Sequence, residues 1–204
     1  MTAEAGAGAK RRMRAPERCR QLLEVARKAF GRRGYHTVTM DSVAKEAGVT
    51  KPILYDHFES KRELYLALLE ADLSNLQQRL AEGLENSRGN RERIRASFQT
   101  YFDFVDEHAE GFRLLMQEAV GGDRHFRDLV FGFRDDVLGK VTEVLIRESK
   151  GNLDRDQAQD VALGLIGMAE TVAQRNPGAT KEERSRTVDT LVRLAWRGIT
   201  GLTV

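Results

Sequence analysis

Apolar positions recur every three or four residues along most of the chain, which is the spacing of one buried face of an α-helix. The pattern first shows at Leu22, Ala26 and Phe30, and a glycine interrupts it at Gly34. Longer repeats follow at 64–84, 94–105 and 126–145. No run of alternating apolar and polar residues is long enough for a sheet. The pattern therefore predicts an all-α protein of about nine helices.

Breaks and capping motifs set the predicted boundaries of these helices. The polar stretch 87–90, the glycine pair 121–122 and the segment 151–154 each separate two apolar repeats. Residues 60–63 (Ser-Lys-Arg-Glu) and 180–183 (Thr-Lys-Glu-Glu) match the capping box, in which the first and fourth residues satisfy each other's backbone amides. The remaining predicted helices are a short one over 111–120, a long one over 123–149, one that begins at 154, and a last one to about 202.

Two of the predicted helices are short and lie close together. Thr39 is a suitable N-cap for a helix to about Ala47, and Thr50 for one to about Phe58. Pro52 costs little in the first turn of the second helix, where amides have no intrahelical partner. Two short helices joined by a tight turn form a helix-turn-helix, whose second helix is of the kind that lies in the major groove of DNA.

Charge is divided unevenly along the chain. Residues 1–62 carry 14 Lys and Arg against 7 Asp and Glu, whereas residues 63–204 carry 19 against 24. A basic N-terminal third beside an acidic remainder suggests a polyanion-binding module attached to a different body. Solvation of basic helix faces is the alternative explanation, and charge alone does not separate the two.

Composition narrows the class of protein. No apolar stretch approaches the roughly 20 residues needed to span a bilayer, and no apolar segment follows the basic N-terminus as in a secretory signal. We therefore expect a cytoplasmic protein with no membrane partner. Cys19, the single cysteine, is either an ordinary thiol or part of an intermolecular bridge. His57 has no second ligand at metal-binding spacing, and no nucleophile–base pair or phosphate loop is present, so we expect no metal, no cofactor and no enzyme activity.

The segment GVTKPILYDHFESKRELYLALL, residues 48–69, resembles the tetracycline-repressor (TetR) family of bacterial transcription regulators. The family pattern is G-V-[ST]-x-x-x-[LIF]-Y-x-[HY]-F-x-[SN]-K-x-x-L, and residues 29–48 are similar to the family's preceding helices. The resemblance implies a helix-turn-helix DNA-binding domain at 16–60 and a ligand-binding and dimerisation domain at 61–204. Residues 1–15 are Ala/Gly-rich and then basic, which predicts a disordered arm. This arm either reaches along the DNA or is a solvated tail.

Several residues are candidates for contact with the DNA backbone. Thr39 and Thr50 place hydroxyls and helix N-terminal amides where a phosphate can bind. In similar proteins the equivalents of Tyr55, His57 and Lys61 contact the backbone. Lys61 lies in the first turn of a helix, where the dipole disfavours a cation, and a nearby phosphate would explain it. Half-buried packing of Tyr55 against the first helix is the alternative.

Three further residues are candidates for contact with base edges. Lys51, Ile53 and Asp56 lie on the second helix of the motif, and Ile53 suits a thymine methyl. Asp56 either accepts from a cytosine amino group or pairs internally with Lys or Arg. The family often has small residues at Pro52 and Ile53, so base preference does not transfer by analogy.

The resemblance implies an effector pocket in the C-terminal domain, for which apolar walls would suit a hydrophobic, elongated or aromatic ligand. Simple core packing is the alternative for each aromatic residue. The candidate ligand-binding residues are Phe98, Tyr101, Phe102, Phe112, Arg113, Met116, Gln117, His125, Phe126 and Phe133.

The last two predicted helices carry more apolar and small residues than one buried face needs. In similar proteins these helices pair with those of a second subunit, and a two-fold homodimer presents two reading helices to a palindromic operator. Burial within the chain is the alternative. The candidate interface residues are Leu163, Gly164, Gly167, Met168, Leu191, Leu194, Ala195, Trp196 and Ile199.

These inferences predict a sequence-specific regulator of transcription that binds double-stranded operator DNA. The leading hypothesis is a repressor that a small-molecule effector releases by pivoting the helix over 64–84, which spreads the two reading heads. An activator, or a regulator that needs no ligand, fits the residues as well. A helical carrier or enzyme is the alternative from another class.

Overall fold

The computed structural model describes residues 14–108, 124–175 and 179–202, and within these ranges it contains eight helices and no strand. The all-α prediction is confirmed. The predicted short helix over 111–120 lies outside the described residues. The helices are α1 (Ala15–Arg33), α2 (Met40–Ala47), α3 (Lys51–Tyr55), α4 (Lys61–Asn86), α5 (Asn90–Glu107), α6 (Arg124–Ser149), α7 (Arg155–Arg175) and α8 (Lys181–Leu202).

The first helix begins slightly earlier than the sequence suggests. Arg14 is the N-cap of α1, and its amide donates to the Oε2 atom of Glu17 at 3.1 Å. The last two residues of the predicted arm, Arg14 and Ala15, therefore belong to the start of α1, while residues 1–13 lie outside the described part of the chain.

The chain divides into two compact units, Met1–Leu68 and Leu69–Val204. The division falls inside α4, not at the predicted boundary near residue 60. The reason is that the first turns of α4 are apolar and buried: Leu64 is 0% exposed and Tyr65 is 2% exposed. The Tyr65 ring packs edge-on against the Phe30 ring of α1 at 5.0 Å between centroids.

The core of the N-terminal unit is built from the apolar faces of α1, α2 and α3. Leu22, Val43 and Leu54, one from each helix, are fully buried. The turn between α2 and α3 depends on Gly48, whose φ of +65° lies in the left-handed region that side chains with a Cβ rarely adopt. This turn sets the angle at which α3 leaves α2.

In the C-terminal unit α5 packs against α8 and α6 packs against α7. A charged residue, Arg184 of α8, is buried where α8 packs against α5, with 4% of its surface exposed. Its guanidinium donates to both carboxylate oxygens of Asp106 and lies 5.0 Å from the centroid of the Phe102 ring. A buried charge is tolerated only when it is paired in this way, so the pair fixes α8 against the end of α5.

Candidate DNA-reading surface and ligand cavity

The two short helices of the N-terminal unit begin differently. At α2, Ser42 N donates to Thr39 Oγ1 and Thr39 N donates to Ser42 Oγ, both at 3.2 Å, which is the capping box in a Ser variant. Thr50 is the N-cap residue of α3 but makes no side-chain capping bond. Its hydroxyl therefore stays available at the start of α3.

The third helix is shorter than predicted and ends at Tyr55, not near Phe58. The amides of His57 and Phe58 both donate to the carbonyl oxygen of Leu54, at 3.2 and 3.0 Å. Two amides sharing one carbonyl tighten the final turn, so the regular helix stops early. Leu54 and Phe58 are buried and anchor this turn in the core.

The outer face of α3 exposes one cation and two large apolar side chains. Lys51 is exposed, and Ile53 and Tyr55 are 38% and 41% exposed. Lys51 Nζ lies 2.8 Å from Asp41 Oδ1 of α2, and this hydrogen bond raises the pKa of Lys51. The same Nζ lies 5.8 Å from the centre of the Tyr55 ring. A charged lysine and an aromatic side chain thus share one solvent-facing surface.

The remaining predicted DNA contacts border this surface. Asp56 is exposed and forms the C-cap of α3, and His57 is half-buried beside the ring of Phe58. Lys61 Nζ donates to the carbonyl oxygen of Tyr35 at 2.9 Å and lies 4.4 Å from the Tyr35 ring centre. The cation in the first turn of α4 is therefore stabilised inside the N-terminal unit, and its position needs no phosphate to explain it.

A cavity of about 340 Å³ lies among α4, α5, α6, α7 and α8 in the C-terminal unit. The surface of its wall is mostly apolar, and three of the predicted ligand-binding residues, Phe98, Tyr101 and Phe133, line it. The aliphatic lining residues are Leu80, Leu84, Ile94, Val137, Val141, Val144, Leu145, Leu153, Leu165 and Ile166.

Two ion pairs contribute polar groups to the same wall. Arg134 Nε lies 3.0 Å from Glu170 Oε1, and Arg93 Nη1 lies 3.3 Å from Glu148 Oε1. Burial raises the pKa of the Glu170 carboxyl, and Arg134 opposes the rise. Burial also raises the pKa of the Tyr101 hydroxyl, which keeps it protonated. The cavity thus has a mostly apolar wall that also carries two ion pairs and several further polar side chains.

The other predicted ligand-binding residues lie elsewhere. Phe102 and Phe126 are buried in the core and do not line the cavity, and Phe102 is covered by the Arg184 guanidinium. His125 is exposed on α6. Phe112, Arg113, Met116 and Gln117 lie outside the described residues. The aliphatic wall was missed because a cavity-lining leucine or valine has the same helical spacing as a core one.

The predicted interface residues separate into two groups. Leu163 and Leu194 are 46% and 61% exposed, and Gly164 is exposed beside them. Gly167 and Met168 are half-buried. A Cβ added at either glycine would meet no heavy atom of the described chain within 4 Å. No close packing within the described chain therefore requires these two glycines.

The second group faces inward. Leu191 and Ala195 are 7% and 5% exposed, so both side chains are buried within the chain. Trp196 is half-buried and lines the cavity. The side chain of Ile199 is outside the described part of the chain. The open apolar surface is consequently smaller than the sequence suggests.

Comparison with known proteins gives matches over both units. The family model described as bacterial regulatory proteins, tetR family, matches residues 22–68, and the tetracyclin repressor-like C-terminal domain matches residues 90–198. The HTH-type transcriptional activator FasR of Mycolicibacterium smegmatis is 33% identical over 184 residues, which cover 90% of this chain and 83% of that protein.

Solved structures share the fold. A TetR-like transcriptional regulator from Rhodococcus sp. RHA1 has a TM-score of 0.68 at 29% identity, covering 93% of this chain and 100% of that one. The regulator FadR from Bacillus subtilis, in complex with stearoyl-CoA, has a TM-score of 0.67 at 17% identity and covers 86% of this chain and 96% of that one. The second likeness is one of fold alone. None of the helices within the described ranges is long and apolar enough to cross a membrane.

Proposed function

This chain belongs to the TetR family of bacterial transcription regulators, and from that premise we propose that it binds a palindromic operator as a homodimer under the control of an elongated, mostly apolar effector. Regulators of this family bind operator DNA and small-molecule ligands, and they are not enzymes. The cavity of about 340 Å³ in the C-terminal unit is the observation that carries the effector half of the proposal.

For the DNA half, the exposed side chains of α3 supply the contacts. Ile53 and Lys51 face the bases, while Tyr55 and the unused hydroxyl of Thr50 donate to phosphates. The capped N-terminus of α2 at Thr39 adds backbone amides that favour a phosphate. Asp56, His57 and Lys61 border this surface and complete the proposed set.

For the effector, the wall of the cavity selects the chemical class. The aliphatic part of the lining favours a hydrocarbon chain, because burying apolar surface stabilises the complex by about 25 cal/mol per Å². Arg93, Arg134 and Glu170 provide hydrogen-bonding groups for a polar head. The stearoyl-CoA bound by the structurally similar FadR supports an acyl thioester or a related acyl compound as the effector.

The helix α4 is the proposed link between effector and DNA. Leu80, Ala81 and Leu84 of α4 line the cavity, whereas its first turn carries Lys61. A ligand shifts the regulator between two states only by the difference between its affinities for them. We propose that the effector favours the state in which α4 has moved.

Titration with acyl-CoA compounds of increasing chain length tests the effector, with free coenzyme A as the comparison. Ala169→Phe fills the cavity from a buried position on α7, and Phe131→Ala changes an exposed residue that does not line it. We expect the affinity for acyl-CoA compounds to rise with the length of the acyl chain. The A169F variant should bind the long-chain compounds about tenfold more weakly or worse, and a factor of ten corresponds to 1.4 kcal/mol. F131A should leave this affinity unchanged. Equal binding of coenzyme A and all its thioesters would contradict the proposal.

The direction of regulation has two candidates. Repression follows if the dimer covers promoter DNA until the effector releases it. Activation is favoured by a different observation: the relative that shares 33% identity is described as a transcriptional activator. In vitro transcription from the bound promoter decides between them, because the transcript falls with added protein for a repressor and rises for an activator.

A further inference from the structure

Four arginines from two packed helices line a second concave site in the C-terminal unit. Arg91 and Arg95 are one turn apart on α5, and Arg186 and Arg193 are two turns apart on α8. The site has a volume of about 450 Å³, and its other lining residues are Asp189 and Thr190. None of these residues lines the cavity among α4, α5, α6, α7 and α8, so the two sites are separate.

One of the four guanidinium groups forms an ion pair: Arg95 Nη2 lies 2.5 Å from Asp189 Oδ1. In the described ranges, Arg91, Arg186 and Arg193 form no ion pair within 4.0 Å, and Arg193 donates weakly to Thr190 Oγ1 at 3.4 Å. Glu183, one turn before Arg186, accepts from the Thr180 amide at 2.8 Å, and that hydrogen bond and the charge of Arg186 both lower the pKa of its carboxyl. The residues that line the site therefore carry four positive charges and one negative charge, and Glu183 offsets part of the Arg186 charge from outside.

The four arginines are exposed, so their combined positive charge can attract an anion from solution. Residues 63–204 as a whole carry more acidic than basic residues, so this cluster of positive charge does not follow from the overall composition. We propose that this arginine cleft binds a small polyanion that carries two or more adjacent phosphate groups. Guanidinium forks match phosphate oxygens in bidentate pairs, and several can grip neighbouring phosphates at once.

Size and charge together favour a small ligand over a nucleic acid. A volume of about 450 Å³ lies in the range of small-molecule sites. A long polyanion would extend over the acidic remainder of the unit and be repelled there. The Thr190 hydroxyl donates to the Arg186 carbonyl oxygen at 2.9 Å, so the arginines are the donors that the cleft offers to a phosphate.

Isothermal titration calorimetry of the full chain tests the cleft with inorganic tripolyphosphate, adenosine triphosphate and sulfate. The test variant is Arg91→Gln with Arg186→Gln. Its control is Arg124→Gln with Arg147→Gln, which removes the same charge from two exposed arginines of α6 that pair with Asp128 and Glu148. We expect both phosphate compounds to bind and sulfate to bind much more weakly.

The test variant should weaken tripolyphosphate binding about tenfold or more, since the two lost charge-assisted contacts together are worth at least that factor. The control pair should leave binding unchanged. Helical circular dichroism checks folding, and Arg193→Gln alone provides a second, milder variant with a weaker loss. Three outcomes would overturn the proposal: sulfate that binds as tightly as tripolyphosphate, an equal loss of affinity in the two double variants, or a parent protein that does not bind tripolyphosphate at all. The result is independent of operator binding and of any effector in the cavity among α4, α5, α6, α7 and α8.

Discussion

Lys61 and Tyr35 form a two-part contact, in which the Lys61 ammonium donates to the Tyr35 carbonyl oxygen at 2.9 Å and lies 4.4 Å from the centre of the Tyr35 ring. The dipole at the N-terminus of α4 opposes a cation, and this contact offsets that cost. The Tyr35 ring in turn lies 4.8 Å from the Tyr65 ring. Lys61 is therefore a structural residue of the N-terminal unit as well as a proposed phosphate contact.

Replacement of this lysine should lower stability and DNA affinity together. We expect Lys61→Met to lower the free energy of unfolding by about 1–2 kcal/mol, the sum of one hydrogen bond and one cation–π contact. Urea unfolding measures this, and Lys28→Met, at an exposed lysine paired with Glu24, is the control. A K61M protein as stable as the parent would show that the Tyr35 contact contributes little.

Lys51 and Asp41 form an ion pair beside the surface that we propose for DNA contact. We expect Lys51→Gln to weaken binding to the operator more than binding to unrelated DNA of the same length, because Lys51 is proposed to face the bases. Asp41→Asn removes a negative charge near DNA and releases the lysine, so it should not weaken binding. Fluorescence anisotropy with both DNAs measures the two variants. An equal loss of affinity for the operator and the unrelated DNA in K51Q would exclude Lys51 from base contact.

Most features of the N-terminal unit could be predicted, because they depend on residues that are close together in the sequence. Thr39 and Gly48 act through their nearest neighbours in the chain, as cap and as left-handed turn residue, so sequence alone located them. The early end of α3 was missed because both amides that share the Leu54 carbonyl lie beyond the helix. No residue preference marks that arrangement.

The C-terminal unit was less predictable because burial depends on packing between distant helices. Phe98 and Phe102 have the same chemistry on one helix, yet one lines the cavity and the other lies beneath Arg184. Leu191 and Leu194 likewise both belong to an apolar run, but their exposures are 7% and 61%. Periodicity indicates that a face is apolar, but the neighbours that cover it decide its role.

The pKa of Glu170 gives the cavity a pH dependence. A carboxyl with a pKa raised by folding stabilises the fold while it is protonated, and this contribution is lost as the pH rises through the raised value. Glu170→Gln is neutral at every pH, so we expect it to be more stable than the parent at neutral pH. The difference should shrink as the pH falls through the raised pKa.

Urea unfolding of both proteins over a pH series measures that difference. Arg134→Gln removes the cation that opposes the shift, so the gain from E170Q should be larger in the R134Q background. A parent protein more stable than E170Q at neutral pH would show that the ion pair outweighs the burial of the carboxylate.

The exposed leucines of α7 and α8 provide a test of the proposed homodimer. In a two-fold interface each substitution occurs twice, so Leu194→Glu would bury two carboxylates without partners. Phe131→Glu is the matched control, because Phe131 of α6 is also a large exposed apolar residue, at 52% against 61% for Leu194. We expect L194E to be monomeric by light scattering and F131E to remain a dimer.

Since two reading helices bind one palindrome together, L194E should also lose most of its operator affinity, while F131E keeps it. A dimeric L194E protein with full operator affinity would place the interface on another surface.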